Sequence, residues 1–135
     1  MWSSKRWVVL LFACLVIIQP GCDRDSPVET LEVCFEEMKS ATNEFYALMG
    51  EVTDPASAEA MLPKLEESHA RLAIASNELD LAEETGSRAA RNIKREIADY
   101  KAEQRTLLKK EFERLKSDEF VKAILEPFLR RINAF

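Results

Sequence analysis

Apolar residues run unbroken for only one stretch of this chain, the 12 residues from Trp7 to Ile18, and afterwards recur at steps of three and four. The first such stripe passes through Val28, Leu31, Cys34/Phe35, Met38, Ala41/Thr42, Phe45, Leu48/Met49 and Val52, one face of a helix held for more than three heptads. Ser26-Pro27-Val28-Glu29 opens it as a capping box with proline at the first helical position. Gly50 to Pro55 is a turn, in which Asp54 caps the next helix and Pro55 starts it. The second stripe runs from Ala58 through Leu65, Ser68/His69, Leu72 and Leu79 to Ala82, and Pro63 predicts a kink or restart near Leu62. Thr85-Gly86-Ser87 is the second turn, with Ser87 as the cap of a third helix from about Arg88. That helix carries Ala90, Ile93, Ile97, Tyr100, Leu107/Leu108, Phe112 and Leu115, with Gln104 and Glu111 falling where a strict heptad wants apolar residues, which reads as a stutter. Ser117-Asp118 caps a shorter last helix with Phe120/Val121, Ile124/Leu125, Phe128/Leu129 and Ile132 on one face, and Pro127 predicts a kink in it.

Short turns between long helices dictate antiparallel neighbours. The expected fold is therefore all-α: an antiparallel bundle of three long helices plus a shorter C-terminal helix over residues 27–135. That last helix either folds back over one end or meets a partner or a second copy. No alternating run of β-branched residues and no Asn-Gly or Asp-Gly hairpin signal argues for strands. Glu, Ala, Leu, Lys and Arg dominate, a helix and coiled-coil composition.

The unbroken run changes the picture of compartment. Met1-Trp-Ser-Ser-Lys-Arg6 is a basic head, the apolar core follows, and Gln19-Pro20-Gly21-Cys22 closes it, which is the layout of a secretory signal peptide. The core is well short of the ~20 residues needed to cross the hydrocarbon as a helix. The ending Ile17-Ile18-Gln19-Pro20-Gly21-Cys22 resembles the lipobox of bacterial lipoproteins. In that family a peptidase cuts before the cysteine, whose sulfur carries a diacylglycerol; Gly21 and Cys22 match, and Gln19 departs from the usual aliphatic residue. The earlier Leu11-Phe12-Ala13-Cys14 has too short an apolar core before it. The resemblance implies lipidation at Cys22, residues 1–21 removed, residues 22–26 a tether, and a protein anchored to the non-cytoplasmic face of a bacterial membrane. Soluble secretion and an uncleaved anchor are the alternatives. Asp23, after the cysteine, implies by the enterobacterial rule retention in the inner membrane. Two or three acyl chains suffice for stable anchoring, at ~0.8 kcal/mol per buried CH₂.

Removing 21 of the 135 residues leaves 114, enough for one modest helical core. It also leaves Cys34 with no thiol partner in its own chain, because Cys14 departs and Cys22 is acylated. Its place on the first stripe predicts a buried thiol, with pairing between chains as the alternative. Charge is divided unevenly: residues 22–86 hold 16 acids against 4 Lys/Arg, and residues 87–135 hold 8 against 13. The simplest reading docks a basic helix 3 between acidic helices 1 and 2 with ion pairs at the rim. A second reading makes Arg88, Arg91, Lys94 and Arg95 a patch for lipid phosphate or another anionic surface, with Arg88, Arg91 and Arg95 on one helical face. Export and an acidic total disfavour nucleic acid.

Candidate chemistry is sparse. Glu66-Glu67-Ser68-His69 contains Glu-x-x-His, the ligand spacing of di-iron bundles, but such sites need the motif twice and His69 is the chain's one histidine. Adjacent acids such as Glu36-Glu37 and Glu83-Glu84 diverge by about 100° on a helix, so they read as solvated faces. No serine or cysteine has a base beside it in any recognisable motif. Neither a catalytic site nor a cofactor is expected. The segment Val52 to Leu65, with Asp54-Pro55, Ala56-Ser57-Ala58 and Pro63-Lys64-Leu65, resembles a pattern in small exported helical proteins of planctomycete-type bacteria. That resemblance implies fold and export and carries no activity. The expected function is a non-enzymatic, membrane-tethered envelope lipoprotein working through a helical surface as a structural or protein-interaction module; the alternative is a helical ligand-binding or chaperone-like protein, suggested by Met38, Met49 and Met61 and by the apolar C-terminal helix, and a small metalloprotein or enzyme comes third.

Overall fold

Proline opens both of the first two helices, where its missing N–H costs nothing. In the computed structural model, which describes residues 27–85 and 88–134, α1 spans Pro27–Gly50 and α2 spans Pro55–Thr85. A single 3₁₀ turn, Arg88–Ala90, leads into α3 at Arg91–Ser117, and α4 covers Glu119–Arg131. The bundle is all-α, three long helices and a shorter fourth. Residues 1–26, where the signal peptide, the tether, Cys22 and the Ser26 cap are expected, and Gly86, Ser87 and Phe135 lie outside the described residues.

The turn between α1 and α2 is fastened reciprocally. The Ser57 N–H donates to Asp54 Oδ1 at 2.7 Å, while Ser57 Oγ accepts from the Thr53 and Asp54 N–H groups at 2.9 and 3.0 Å. This is a capping box with serine in the position that glutamate usually takes. These bonds hold the Asp54 carboxyl below its ordinary pKa. Asp118 caps α4 the same way, accepting from Phe120 and Val121 N–H at 2.9 and 3.1 Å.

α1 and α2 form the tight pair, and their stripes interleave as read from the sequence: Leu31, Phe35, Met38, Phe45 and Met49 face Ala58, Leu65, Ala75, Leu79 and Ala82. The core divides into two clusters. One, at the end where α1 begins, gathers Leu31, Phe35, Leu79, Ala90 and Ile97. The other, around the α1–α2 turn, gathers Phe45, Met49, Leu65, Leu115, Leu125 and Leu129. Leu72 is the half-buried residue packed against both. α4 folds back over the second end, burying Val121, Leu125, Phe128 and Leu129 against α2 and α3.

Several expectations change. Pro63 causes no restart: α2 is one helix of 31 residues. Proline removes the N–H that the Glu59 carbonyl would accept, but both residues are exposed, so water can take that place. Pro127 likewise sits inside an unbroken α4 on its exposed side. α3 begins at Arg91 rather than Arg88, and its N-cap is Ala90, which makes no side-chain cap bond. Ala90 is instead fully buried, so packing rather than capping places this helix start. Phe120 is 75% exposed and leaves the α4 face to Val121. Cys34 is half-buried rather than buried. Helix 3 docks on both α1 and α2, Ala90 and Ile97 clustering with Leu31 and Leu79 and Lys101 pairing with Asp80 and Glu83 at the rim, but less tightly than α1 and α2 pack on each other.

Candidate functional site

Three places in the bundle gather polar chemistry. The first is the start of α3. Arg88, Arg91 and Arg95 are all exposed and share one face, opposite the buried Ala90 and Ile97. Lys94 stands apart from them, half-buried on the flank, and has a partner of its own. The same spacing of three and four continues to Arg105 and Lys109, also exposed, which the sequence reading left out. Following the outer rather than the inner face of helix 3 would have found them. Among the described residues, no carboxylate comes within 4 Å of Arg88, Arg91, Arg95, Arg105 or Lys109.

Cations elsewhere are put to internal use. Lys101 crosses from α3 to α2 and meets Asp80 at 2.8 Å and Glu83 at 3.1 Å; burial opposes its charge, but the two carboxylates prevail and raise its pKa. Arg71 joins Glu44 across α1 and α2 at 3.0 Å, and Arg131 of α4 pairs with Glu66 of α2. Arg114 reaches from α3 to the end of α1, donating to the Met49 carbonyl at 2.7 Å and the Val52 carbonyl at 2.9 Å. It thereby gives the Val52 carbonyl a donor just past the helix end and adds a second donor to the Met49 carbonyl, which also accepts from the Val52 N–H at 3.1 Å.

The second place is a groove of about 270 Å³ between the two core clusters, lined by Met38, Thr42 and Leu72 on one side and Tyr100, Lys101 and Gln104 on the other. Tyr100 packs edge-on to Phe35 with ring centres 5.4 Å apart, and its buried hydroxyl has no hydrogen-bond partner among the described residues. Tyr46 donates to the Gln104 carbonyl at a long 3.5 Å. Burial first, then Glu111 and Tyr100, push its phenol up to about 12.

Neither comparison with protein-family models and curated proteins nor comparison with solved structures finds a match for this chain. Geometry alone therefore weighs the sites.

The third place surrounds His69. Its ring lies edge-on to Phe45 and Phe128, at 5.7 and 6.0 Å between centres, and burial followed by the Arg131 charge lowers its pKa. Glu66, the other half of Glu-x-x-His, is engaged by Arg131. Among the described residues no group of three or more His, Cys, Asp or Glu is placed to hold a metal ion. Burial, then Glu37 and Glu78, raise the Cys34 thiol pKa, which lowers its thiolate fraction and so its reactivity.

Proposed function

We propose that this protein is a membrane-tethered envelope lipoprotein, non-enzymatic, that works through its helical surface as a structural or protein-interaction module. The observation that carries the reading is Cys22, which ends a basic-headed apolar run only five residues before α1 begins at Pro27. Acylation there puts the bundle directly at the lipid surface. The short turns, the Asp54 and Asp118 caps and the Arg114 clasp favour a stiff body suited to presenting a surface at fixed height. No described helix is long and apolar enough to cross a membrane, so attachment in this reading falls to the lipid. Exposed Phe120, with Val33, Ile74 and Leu81 on α1 and α2, offers apolar footholds for a protein partner or a second copy, Phe120 being the one contributed by the C-terminal helix.

Cys22→Ala tests the anchor. The variant is expected in the soluble fraction after cell breakage while the parent sediments with membranes; a parent already soluble refutes the lipoprotein reading. A second reading, as a ligand-binding helical protein, draws on the groove at Tyr100, whose apolar floor and polar rim, with Asp80, Lys101 and Arg105 among its charged groups, fit a small amphipathic molecule. Native mass spectrometry of the purified chain tests it, since a retained small molecule lost on Tyr100→Phe and Gln104→Ala substitution favours this reading over the first.

A further inference from the structure

The charge asymmetry noted in the sequence has a definite geometry in the fold. Steps of three and four through the 3₁₀ turn and α3 place Arg88, Arg91, Arg95, Arg105 and Lys109 along one exposed ridge, with Arg105 at its edge beside the Tyr100 groove. Only Ala98 and Ala102 occupy the same face between Arg95 and Arg105, so no large or acidic side chain interrupts it there. The acids of this part of α3, Glu96, Asp99 and Glu103, fall on one flank by the same count. Glu113 ends the ridge and is held ionised by Lys116 at 2.9 Å, with Lys109 contributing. At 1.5 Å per residue, Arg88 to Lys109 extends about 30 Å. The α1–α2 side of the molecule is acidic, because those two helices carry 12 acids against 3 basic residues.

The ridge also starts at a particular place. Ala90 and Ile93 pack with Val28, Leu31 and Phe35, so Arg88 and Arg91 lie beside the beginning of α1. Five residues link Pro27 to Cys22, a reach of at most about 17 Å. An acyl chain on Cys22 therefore holds the basic end of the ridge within roughly two Debye lengths of the bilayer.

We propose that the exposed ridge of α3 is a docking surface for anionic phospholipid headgroups, laying the tethered bundle on its side with α3 against the membrane and α1 and α2 facing away. This rests on the lipid-anchor reading for its local concentration, though the ridge's affinity for an anionic surface does not. Attraction at α3 and repulsion at the acidic α1–α2 side act in the same sense, so the charge distribution orients the body rather than merely holding it close. Arginine suits the task, its planar guanidinium matching phosphate in a bidentate contact.

Lysine footprinting of the full chain purified from cells and reconstituted into vesicles tests this. One set of vesicles is phosphatidylcholine alone and the other contains phosphatidylglycerol as well. Amine labelling of Lys109 is expected to slow at least about threefold on the anionic vesicles and to recover in roughly 1 M salt, where screening is almost complete. Lys64 on α2 is expected to label equally on both. Arg95→Glu with Arg105→Glu, both at exposed positions, is expected to abolish the difference while helicity is retained. Sedimentation with both vesicle types but equal Lys109 labelling overturns the ridge and leaves the anchor standing. Salt-sensitive binding to anionic vesicles alone, with Lys109 protected, overturns the anchor and supports the ridge. Failure to bind either kind overturns both. Protection of Lys109 in detergent that grows with protein concentration assigns the ridge to a second copy and overturns the membrane proposal.

Discussion

The surroundings of His69 link stability to pH in a direction that follows from its neighbours. Burial against Phe45 and Phe128, then the charge of Arg131, lower its pKa in the fold below the ordinary 6.5. The unfolded chain thus binds a proton more readily than the native one. This contribution is fully present above the unfolded pKa and is lost as pH falls toward the folded value. The urea midpoint is expected to be lower at about pH 5.5 than at about pH 7.5, and His69→Leu should narrow that gap. An unchanged gap in the variant refutes the assignment. Side chains such as Asp54 and Asp118 were legible in the sequence because a cap acts on N–H groups two or three residues away. Arg114 was not, since the carbonyls it serves lie more than 60 residues earlier in the chain. The half-exposure of Cys34 was missed for a related reason: periodicity places a residue on a stripe, but its position at the stripe's edge depends on the neighbouring helix.

Among the helices, α2 shows where local propensity yields to packing. Pro63 lies at the ninth position of a helix it does not break. Leu65, Ser68, Ala75 and Leu79 are buried beyond it, and burial of that stripe outweighs one absent hydrogen bond. Pro63→Ala restores a donor for the Glu59 carbonyl and removes the ring's clash, and is expected to stabilise by about 1–2 kcal/mol, after allowing for the freer unfolded chain. Denaturant titration measures it; a loss of stability shows that the ring itself packs usefully. The α1 and α2 stripes could be read almost residue by residue, because each keeps its three-and-four spacing and the two face one another. α3 was harder. Its drifting inner face hid the continuity of its outer one, so Arg105 and Lys109 went unnoticed beside Arg88, Arg91 and Arg95. The start of α3 at Arg91 depends on burying Ala90, which no cap residue announces.

For the molecule as one body, the division of its core matters most. Two apolar clusters are separated by the groove that Tyr100, Lys101 and Gln104 line, with Leu72 touching both. Leu72→Ala is expected to cost about 1–3 kcal/mol, less than a fully buried leucine, because it is half-buried. It should also let the ends open separately: amides near Leu31 and those near Phe45 are expected to exchange with different free energies in the variant and similar ones in the parent. Equal changes at both ends contradict this role for Leu72.

α4 has a consequence of another kind. It covers Phe45, Met49 and Leu65 with Val121, Leu125, Phe128 and Leu129, and it is made after the helices it packs on. The α1–α2 hairpin can pair as soon as both stripes emerge, yet its turn end stays open until α4 arrives. Any product that stops short of Asp118 therefore shows a greasy, unsealed end to whatever chaperone or protease patrols the compartment.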